Sequence, residues 1–142
     1  MTQSIEVLAV PESIPQLMAF SDSVEQALPL SLEQCYLMRL AIEEITTNII
    51  KYSYAHEPPG PLQVACDCQG EQLCVTIRDR GQPFDPHDAP PPDLSADLAS
   101  RTVGGLGVFL VRELADDLTY WHDPASGWNE LVIMKGNESS DV

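Results

Sequence analysis

Residues 37–54 read LMRLAIEEITTNIIKYSY, and the spacing of their apolar side chains predicts a helix. The apolar positions recur in steps of 4, 3, 4 and 3, as one buried helix face requires: Met38, Ile42, Ile45, Ile49 and Tyr52. Ser31 followed by Gln34 resembles a capping box. We therefore predict a helix from residue 31 to about residue 54.

A second row of the same helix begins apolar and turns polar halfway along: Leu37, Ala41, Glu44 and Asn48. This row lies beside the buried stripe, whereas Glu43 points further towards solvent. Glu44 and Asn48 project from one face, about one turn apart. An Asn oxygen is a suitable ligand for octahedral Mg²⁺, and a nearby Glu is suited to activating a hydroxyl or a water. Alone, the pair also fits a hydrogen-bonded structural role on a half-exposed helix.

Patterns on either side of this helix predict the rest of the fold. They predict a strand at 4–10, a helix at 12–27, a hairpin at 62–79 turning at Gly70-Glu71, a proline-rich loop from 81 to about 94, a helix at 107–117, and strands at 118–122 and 129–135. This order predicts an α/β two-layer sandwich, in which helices cover one face of a mixed, mostly antiparallel sheet. We expect a single domain over 1–142, with a flexible tail at about 137–142.

Charge and hydropathy exclude several classes of function. The net charge is -15, from 22 acidic and 7 basic residues, and such a field repels nucleic acid. We expect partners with a basic face, or small anions shielded by a metal ion. The sequence contains no run of about 18 apolar residues, the length that a membrane-spanning helix requires. Its first residues also lack a signal-peptide pattern. The expectation is a cytoplasmic protein that binds neither nucleic acid nor membrane.

The cysteines include a C-x-C pair, Cys66 and Cys68, which resembles a metal-binding motif. A two-residue loop in the predicted hairpin would pair residue 68 with 73 and residue 66 with 75. Cys66 and Cys68 would then share the apolar face, while Cys74 points the other way. We predict core packing for this pair rather than metal or disulfide chemistry.

Two glycine-containing segments have the chemistry to contact a nucleotide. Asp79-Arg80-Gly81 ends the hairpin and continues as Phe84-Asp85-Pro86. A carboxylate there can accept the exocyclic amine of adenine, and a glycine lets a flat base approach the backbone. A turn capped by Asp79 fits the same residues.

The second segment, Gly104-Gly105-Leu106-Gly107, precedes the predicted third helix. Backbone N–H groups at a helix start, together with the helix dipole, bind phosphate. No Lys follows, which excludes a Walker A loop, and the dinucleotide fingerprint fails because its third glycine position is Leu110. A flexible loop that only caps the helix is the alternative.

In this order, the three segments resemble the GHKL ATPase superfamily, whose nucleotide site is called the Bergerat fold. Glu44-x-x-x-Asn48 is similar to its N box, Asp79-x-Gly81 to its first glycine box, and the cluster at 104–107 to its second. The nearest resemblance is to the branch of anti-sigma factors and serine-protein kinases, and it covers about residues 5–135. Further matching runs are Glu44-Ile45-Thr46-Thr47-Asn48 with Lys51-Tyr52, Ile77-Arg78-Asp79 and Asn129-Glu130-Leu131-Val132.

The resemblance implies a site for ATP and Mg²⁺. It implies that Asn48 holds Mg²⁺, that Glu44 is the general base, and that Asp79 reads adenine. Gly81 and Phe84 would lie beside the base, and 86–103 would form the ATP lid, with Arg101 as its only cation. The phosphates would be lined by the glycine cluster: Gly104, Gly105, Leu106 and Gly107.

The resemblance also implies a kinase that phosphorylates a Ser or Thr of an antagonist protein. Many members of the branch sequester a sigma factor, often as homodimers. The alternative is a protein-interaction module that keeps the fold and for which the nucleotide is optional. The presence of both Glu44 and Asn48 favours catalysis, while the acidic, proline-rich lid predicts modest ATP affinity.

Overall fold

The computed structural model describes residues 2–88 and 105–137, which contain one five-stranded sheet in the order β1-β2-β3-β5-β4. The strands are β1 (Gln3–Leu8), β2 (Pro61–Gln69), β3 (Gln72–Asp79), β4 (Asp117–His122) and β5 (Asn129–Lys135). All the pairings in this sheet are antiparallel, so the mixed sheet expected from the sequence is wrong in that detail. The reason is that β3 and β4 run in the same direction but do not pair, because β5 lies between them.

Three α-helices pack on one face of the sheet: α1 (Ile14–Ala27), α2 (Leu32–Asn48) and α3 (Gly105–Leu114). The core between the two layers is aliphatic, and its strand residues alternate as a period of two requires. Its fully buried side chains include Leu17, Leu37, Met38, Ile42, Leu62, Val64, Leu73, Val75, Ile77 and Ile133. Each such side chain contributes about 1.5–3 kcal/mol of transfer free energy. The predicted two-layer α/β architecture is confirmed.

The predicted capping box forms at the start of α2, with both of its hydrogen bonds present. The Gln34 backbone N–H donates to Ser31 Oγ over 3.1 Å, and the Ser31 N–H donates to Gln34 Oε1 over 2.9 Å. The buried Gln34 amide then donates to the carbonyls of Glu71 and Lys135, both at 2.9 Å. The helix is therefore tied to the β2–β3 turn and to the end of β5, which determines where its distal half lies on the sheet.

The distal end of α2 departs from the prediction. The α-helix ends at Asn48 and a π-helical turn follows over Ile49–Ser53. A π turn holds one more residue than an α turn, so it rotates the following side chains off the α-helical stripe. Tyr52, expected in the core, is 59% exposed, while Ser53 and Tyr54 are buried in its place.

The β2–β3 hairpin has the predicted register, with Cys66 opposite Val75 and Cys68 opposite Leu73. Its turn uses Gly70, whose φ of 65° favours glycine. Cys66 is buried in the core, and burial raises the pKa of its thiol to about 12. Cys74 stands opposite Asp67, on the other face, as predicted.

The remaining boundaries differ by a few residues. The first helix is preceded by a 3-10 turn at Pro11–Ser13, and another 3-10 turn at Pro86–Asp88 lies in the predicted loop. The third helix begins at Gly105, earlier than expected, so Gly105 and Gly107 belong to its first turn rather than to a preceding loop. Most of the predicted lid and tail, with Arg101 and Gly104, lies outside the described residues. In the described part of the chain, no helix has the length and hydropathy needed to cross a bilayer.

Candidate functional site

A pocket lies between α2 and the sheet, where β3 ends and β5 begins. Three of the residues singled out in the sequence line it: Asn48 from α2, Asp79 from β3 and Phe84 from the following loop. Ile45, Ile77 and Leu131 supply apolar walls. Apolar walls with a few convergent polar groups are typical of a small-molecule site.

Asp79 is the buried charge of this pocket. It is 5% exposed and stands at the end of the inward row of β3. Its Oδ2 accepts from the Gly81 N–H at 2.9 Å and from the Asn129 amide at 3.2 Å. Burial raises the pKa of this carboxyl, and those two hydrogen bonds oppose the rise. Among the described residues none donates to Oδ1, so one carboxylate oxygen is left as an acceptor for a ligand.

Gly81 lies directly against the π turn. A Cβ at this position would overlap the Ser53 backbone carbonyl, and the neighbouring Gln82 N–H donates to that same carbonyl over 2.6 Å. Tyr54 completes the contact, since its hydroxyl accepts from the Arg80 N–H at 2.7 Å. The π turn therefore holds the loop after Asp79, which explains why glycine stands at 81.

Glu44 lies one turn before Asn48 and contacts the first turn of α3. A Cβ on Gly107 would overlap the Glu44 carboxylate, so the glycine lets the acid pack against the helix backbone. Burial, and secondarily Glu43, raises the pKa of Glu44, while Lys51 lowers it. Glu43 is exposed, as predicted. A half-buried carboxyl with a raised pKa is suited to taking a proton.

The structure thus groups the predicted residues into two adjacent clusters. Asn48, Asp79 and Phe84 share the pocket, with Gly81 at its edge. Glu44 and Gly107 touch each other beside it, and Leu106 is 38% exposed in the same turn of α3.

Three residues of β4 and β5 belong to the site although none of them was assigned a role there from the sequence, and only Asn129 appeared in a run that matches the family. Tyr120 and Asn129 line the pocket, and His122 bonds to Asn129. A signal for Asn129 was present: it shares the inward face of β5 with Leu131 and Ile133, where a polar side chain requires a buried partner.

Residues 7–135 match the family model described as the histidine kinase-like ATPase domain. The chain belongs to this family. A serine-protein kinase RsbW of Listeria monocytogenes is 26% identical over 124 residues, covering 84% of this chain and 79% of the relative. Its namesake from Bacillus cereus is 30% identical over 90 residues, covering 61% of this chain and 56% of the relative. The Acinetobacter baumannii histidine kinase AdeS superposes with a TM-score of 0.47 at 17% identity, covering 95% of this chain and 68% of that one.

The residues of this ATPase domain fit a purine nucleotide by their chemistry. None of the residues described in the structure donates to Asp79 Oδ1, which leaves this oxygen as an acceptor for an exocyclic amine. Asn48 brings a neutral amide oxygen to the same pocket, and the start of α3 presents backbone N–H groups next to Glu44.

The loop after β3 fills much of the pocket of the ATPase domain. Phe84 and Pro86 line it, the Phe84 N–H donates to the Tyr120 hydroxyl at 3.1 Å, and His87 Nε2 lies 2.9 Å from the Leu118 carbonyl. The room left is about 20 Å³, enough for roughly one water molecule. The pocket in this conformation is therefore smaller than a purine base requires.

Gly107→Ala tests the contact between α2 and α3. Alanine favours the helix by about 1 kcal/mol over glycine, but its methyl group displaces the Glu44 carboxylate. We expect unchanged or slightly higher thermal stability. If Glu44 is the general base that the sequence resemblance implies, phosphoryl transfer should fall about 100-fold, because small misplacements of a reacting group are costly. Differential scanning calorimetry and a phosphorylation assay measure the two effects.

Gly81→Ala is the matched comparison, because its methyl group meets the Ser53 backbone, which cannot rotate away. Here we expect a destabilisation of about 1–3 kcal/mol. Full phosphoryl transfer by Gly107→Ala would show that Glu44 does not need its position against α3.

Proposed function

We propose that this ATPase domain is an Mg-ATP-dependent serine/threonine protein kinase of the anti-sigma-factor type. The observation that carries the proposal is the pairing of a buried adenine-type acceptor, Asp79, with a half-buried acid, Glu44, one helical turn from Asn48. The names of its relatives, serine-protein kinases, support the reaction class.

Each residue has a distinct role in this proposal. Asp79 Oδ1 accepts the amine of the base, the apolar walls exclude water from its faces, and Asn48 Oδ1 is a ligand of Mg²⁺. Gly105 and Gly107 present the N–H groups of the first turn of α3 to phosphate oxygens. Bound Mg-ATP supplies the phosphoryl group that is transferred.

Glu44 is placed to take the proton of the substrate hydroxyl. It must be ionised to do so, and its partial burial beside α3 brings its pKa closer to neutral. The carboxylate lies against the backbone of α3, and burial raises its pKa although Lys51 opposes the rise.

The partners proposed are those implied by the sequence resemblance: an antagonist protein that carries the phosphorylated Ser or Thr, and a sigma factor. A second copy of the chain is a further candidate partner. The net charge of -15 favours partners with a basic face.

A second candidate function is a protein-interaction module for which the nucleotide is optional. The small room left by Phe84 and Pro86 favours it, because the pocket as it stands excludes a base. The two functions differ in whether Mg-ATP binds.

Calorimetric titration of ATP, with and without Mg²⁺, into wild type and Asn48→Ala distinguishes them. We expect binding by wild type that weakens without the metal. Asn48→Ala should lower the affinity for Mg-ATP about tenfold and remove most of the metal dependence, because it removes one of the oxygen ligands.

Thr47→Ala is the control, since it alters a neighbouring side chain of α2 that does not line the pocket. Absence of ATP binding to wild type would favour the interaction module.

A further inference from the structure

Three polar residues form a row across three neighbouring strands at the pocket end of the sheet. Asp79 of β3 stands directly opposite Asn129 of β5, which stands directly opposite His122 of β4. Directly opposed residues of antiparallel strands project from the same face. Neither Asn129 nor His122 has a role in the function proposed above.

The chemistry of the neighbours determines how the Asn129 amide is oriented. Its Nδ2 lies 3.2 Å from Asp79 Oδ2 and 2.9 Å from the Gly81 carbonyl, and both of these atoms can only accept. The reversed amide would place its oxygen against a carboxylate. Asn129 Oδ1 must therefore face His122, whose Nδ1 lies 2.6 Å away and must carry a proton to donate.

The hydrogen bonds of this row fix the orientation of the Asp79 carboxylate and favour its ionised form. With the Asn129 amide and the Gly81 N–H both on Oδ2, the carboxylate cannot rotate without losing two donors, and Oδ1 stays directed to the pocket. The same donors favour the ionised form, which accepts hydrogen bonds and donates none. A charged, fixed acceptor attracts a 6-amino purine and repels the 6-oxo group of inosine or guanine.

We propose that Asn129, oriented by His122, is a positioning residue that gives the pocket its selectivity for 6-amino purines. The inference rests on the proposed function, since it assumes that the pocket binds a purine nucleotide. Asn129 acts through Asp79, and His122 acts through Asn129.

The test compares Mg-ATP with Mg-ITP, which differ only at the 6-position and N1 of the base. Their dissociation constants are measured calorimetrically for the wild-type chain, Asn129→Leu and His122→Phe. Wild type should prefer ATP by about 100-fold or more, because a site built to accept an amine rejects the analogue that lacks it. Asn129→Leu should weaken ATP binding about tenfold and leave ITP binding nearly unchanged, so the preference falls; His122→Phe should act in the same direction to a smaller extent.

Asn48→Ala is the control, because loss of a metal ligand should weaken both nucleotides equally and preserve the preference. A nucleotide-free readout is the pKa of the Asp79 carboxyl, followed by carbon NMR, which should rise in Asn129→Leu since that amide lowers it. If Asn129→Leu fails to fold, His122→Phe decides, because its half-exposed ring is replaced by one of similar size.

The possible results distinguish a failure of the role of Asn129 from a failure of the ATP site itself. One contrary result is that His122→Phe and Asn129→Leu weaken ATP and ITP binding equally and leave the preference for ATP intact. That result would show that the three polar residues only hold the strands together. It would overturn the inference, but the proposed ATP site would stand. Failure of wild type to bind either nucleotide would overturn the proposed function and the inference together.

Discussion

Glu44→Gln is expected to reduce phosphoryl transfer about 100- to 10,000-fold, the usual contribution of a general base. The substitution keeps the shape of the side chain and its packing against Gly107, but the amide cannot take a proton. Nucleotide affinity should stay close to that of wild type, because Glu44 does not line the pocket that holds Asn48 and Asp79. Single-turnover phosphorylation and calorimetry measure the two quantities separately.

Glu43→Gln is the matched control, since it makes the same chemical change one residue earlier on an exposed face. It should retain activity. Wild-type activity should fall on the acid side at a higher pH than the ordinary Glu value of about 4.3, because burial raises the pKa of Glu44 and the base must be ionised. Glu43→Gln should move this limb to lower pH, as Glu43 contributes to the rise. Equal loss of binding and of transfer in Glu44→Gln would contradict the role as base.

Asp79→Asn is expected to weaken ATP binding about 100-fold while making the nucleotide-free protein more stable. Binding falls because the group that faces the base becomes a neutral amide and a charge-assisted hydrogen bond is lost, worth about 1.5–3 kcal/mol. Stability rises by on the order of 1 kcal/mol because a buried charge is removed while an oxygen remains for the Gly81 and Asn129 donors. Calorimetric titration and thermal unfolding measure the two effects.

The pH dependence of that stability gain follows from linkage. The pKa of Asp79 is raised in the folded state, so its favourable contribution is present below the unfolded pKa and is lost as pH rises through the folded one. The advantage of Asp79→Asn should therefore be largest at neutral pH and shrink in acid. Asp67→Asn, on the opposite face of the β2–β3 hairpin, is the control and should show little of either effect. Stability that falls in Asp79→Asn at neutral pH would show that the charge itself holds the loop after β3.

Much of the site could be predicted because its parts lie on regular elements. The i, i+4 spacing of Glu44 and Asn48 is a local property of a helix, and the inward position of Asp79 follows from alternation along β3. The capping box that starts α2 was visible in Ser31 and Gln34, and the structure contains both of its hydrogen bonds. The resemblance to GHKL ATPases agrees with the family match over residues 7–135.

The π turn at Ile49–Ser53 could not be predicted from the same reasoning. The apolar stripe of α2 continues to Tyr52 in the sequence, and only contacts with distant residues favour the wider turn. The Ser53 carbonyl accepts from the Gln82 N–H at 2.6 Å, and the Tyr54 hydroxyl donates to the Pro61 carbonyl at 2.8 Å. Tertiary hydrogen bonds here override local periodicity.

The sequence by itself determined which side chains share a face: the polar row of α2, the inward row of β3 and the C-x-C pair of the hairpin. Periods of 3.6 and 2 residues decide these relations before any folding. The tertiary structure alone decided which faces meet. Asp79 and Asn129 are 50 residues apart, and they bond because β5 enters the sheet between β3 and β4. Glu44 reaches α3 only because Gly107 has no side chain, and helix packing brings the two together.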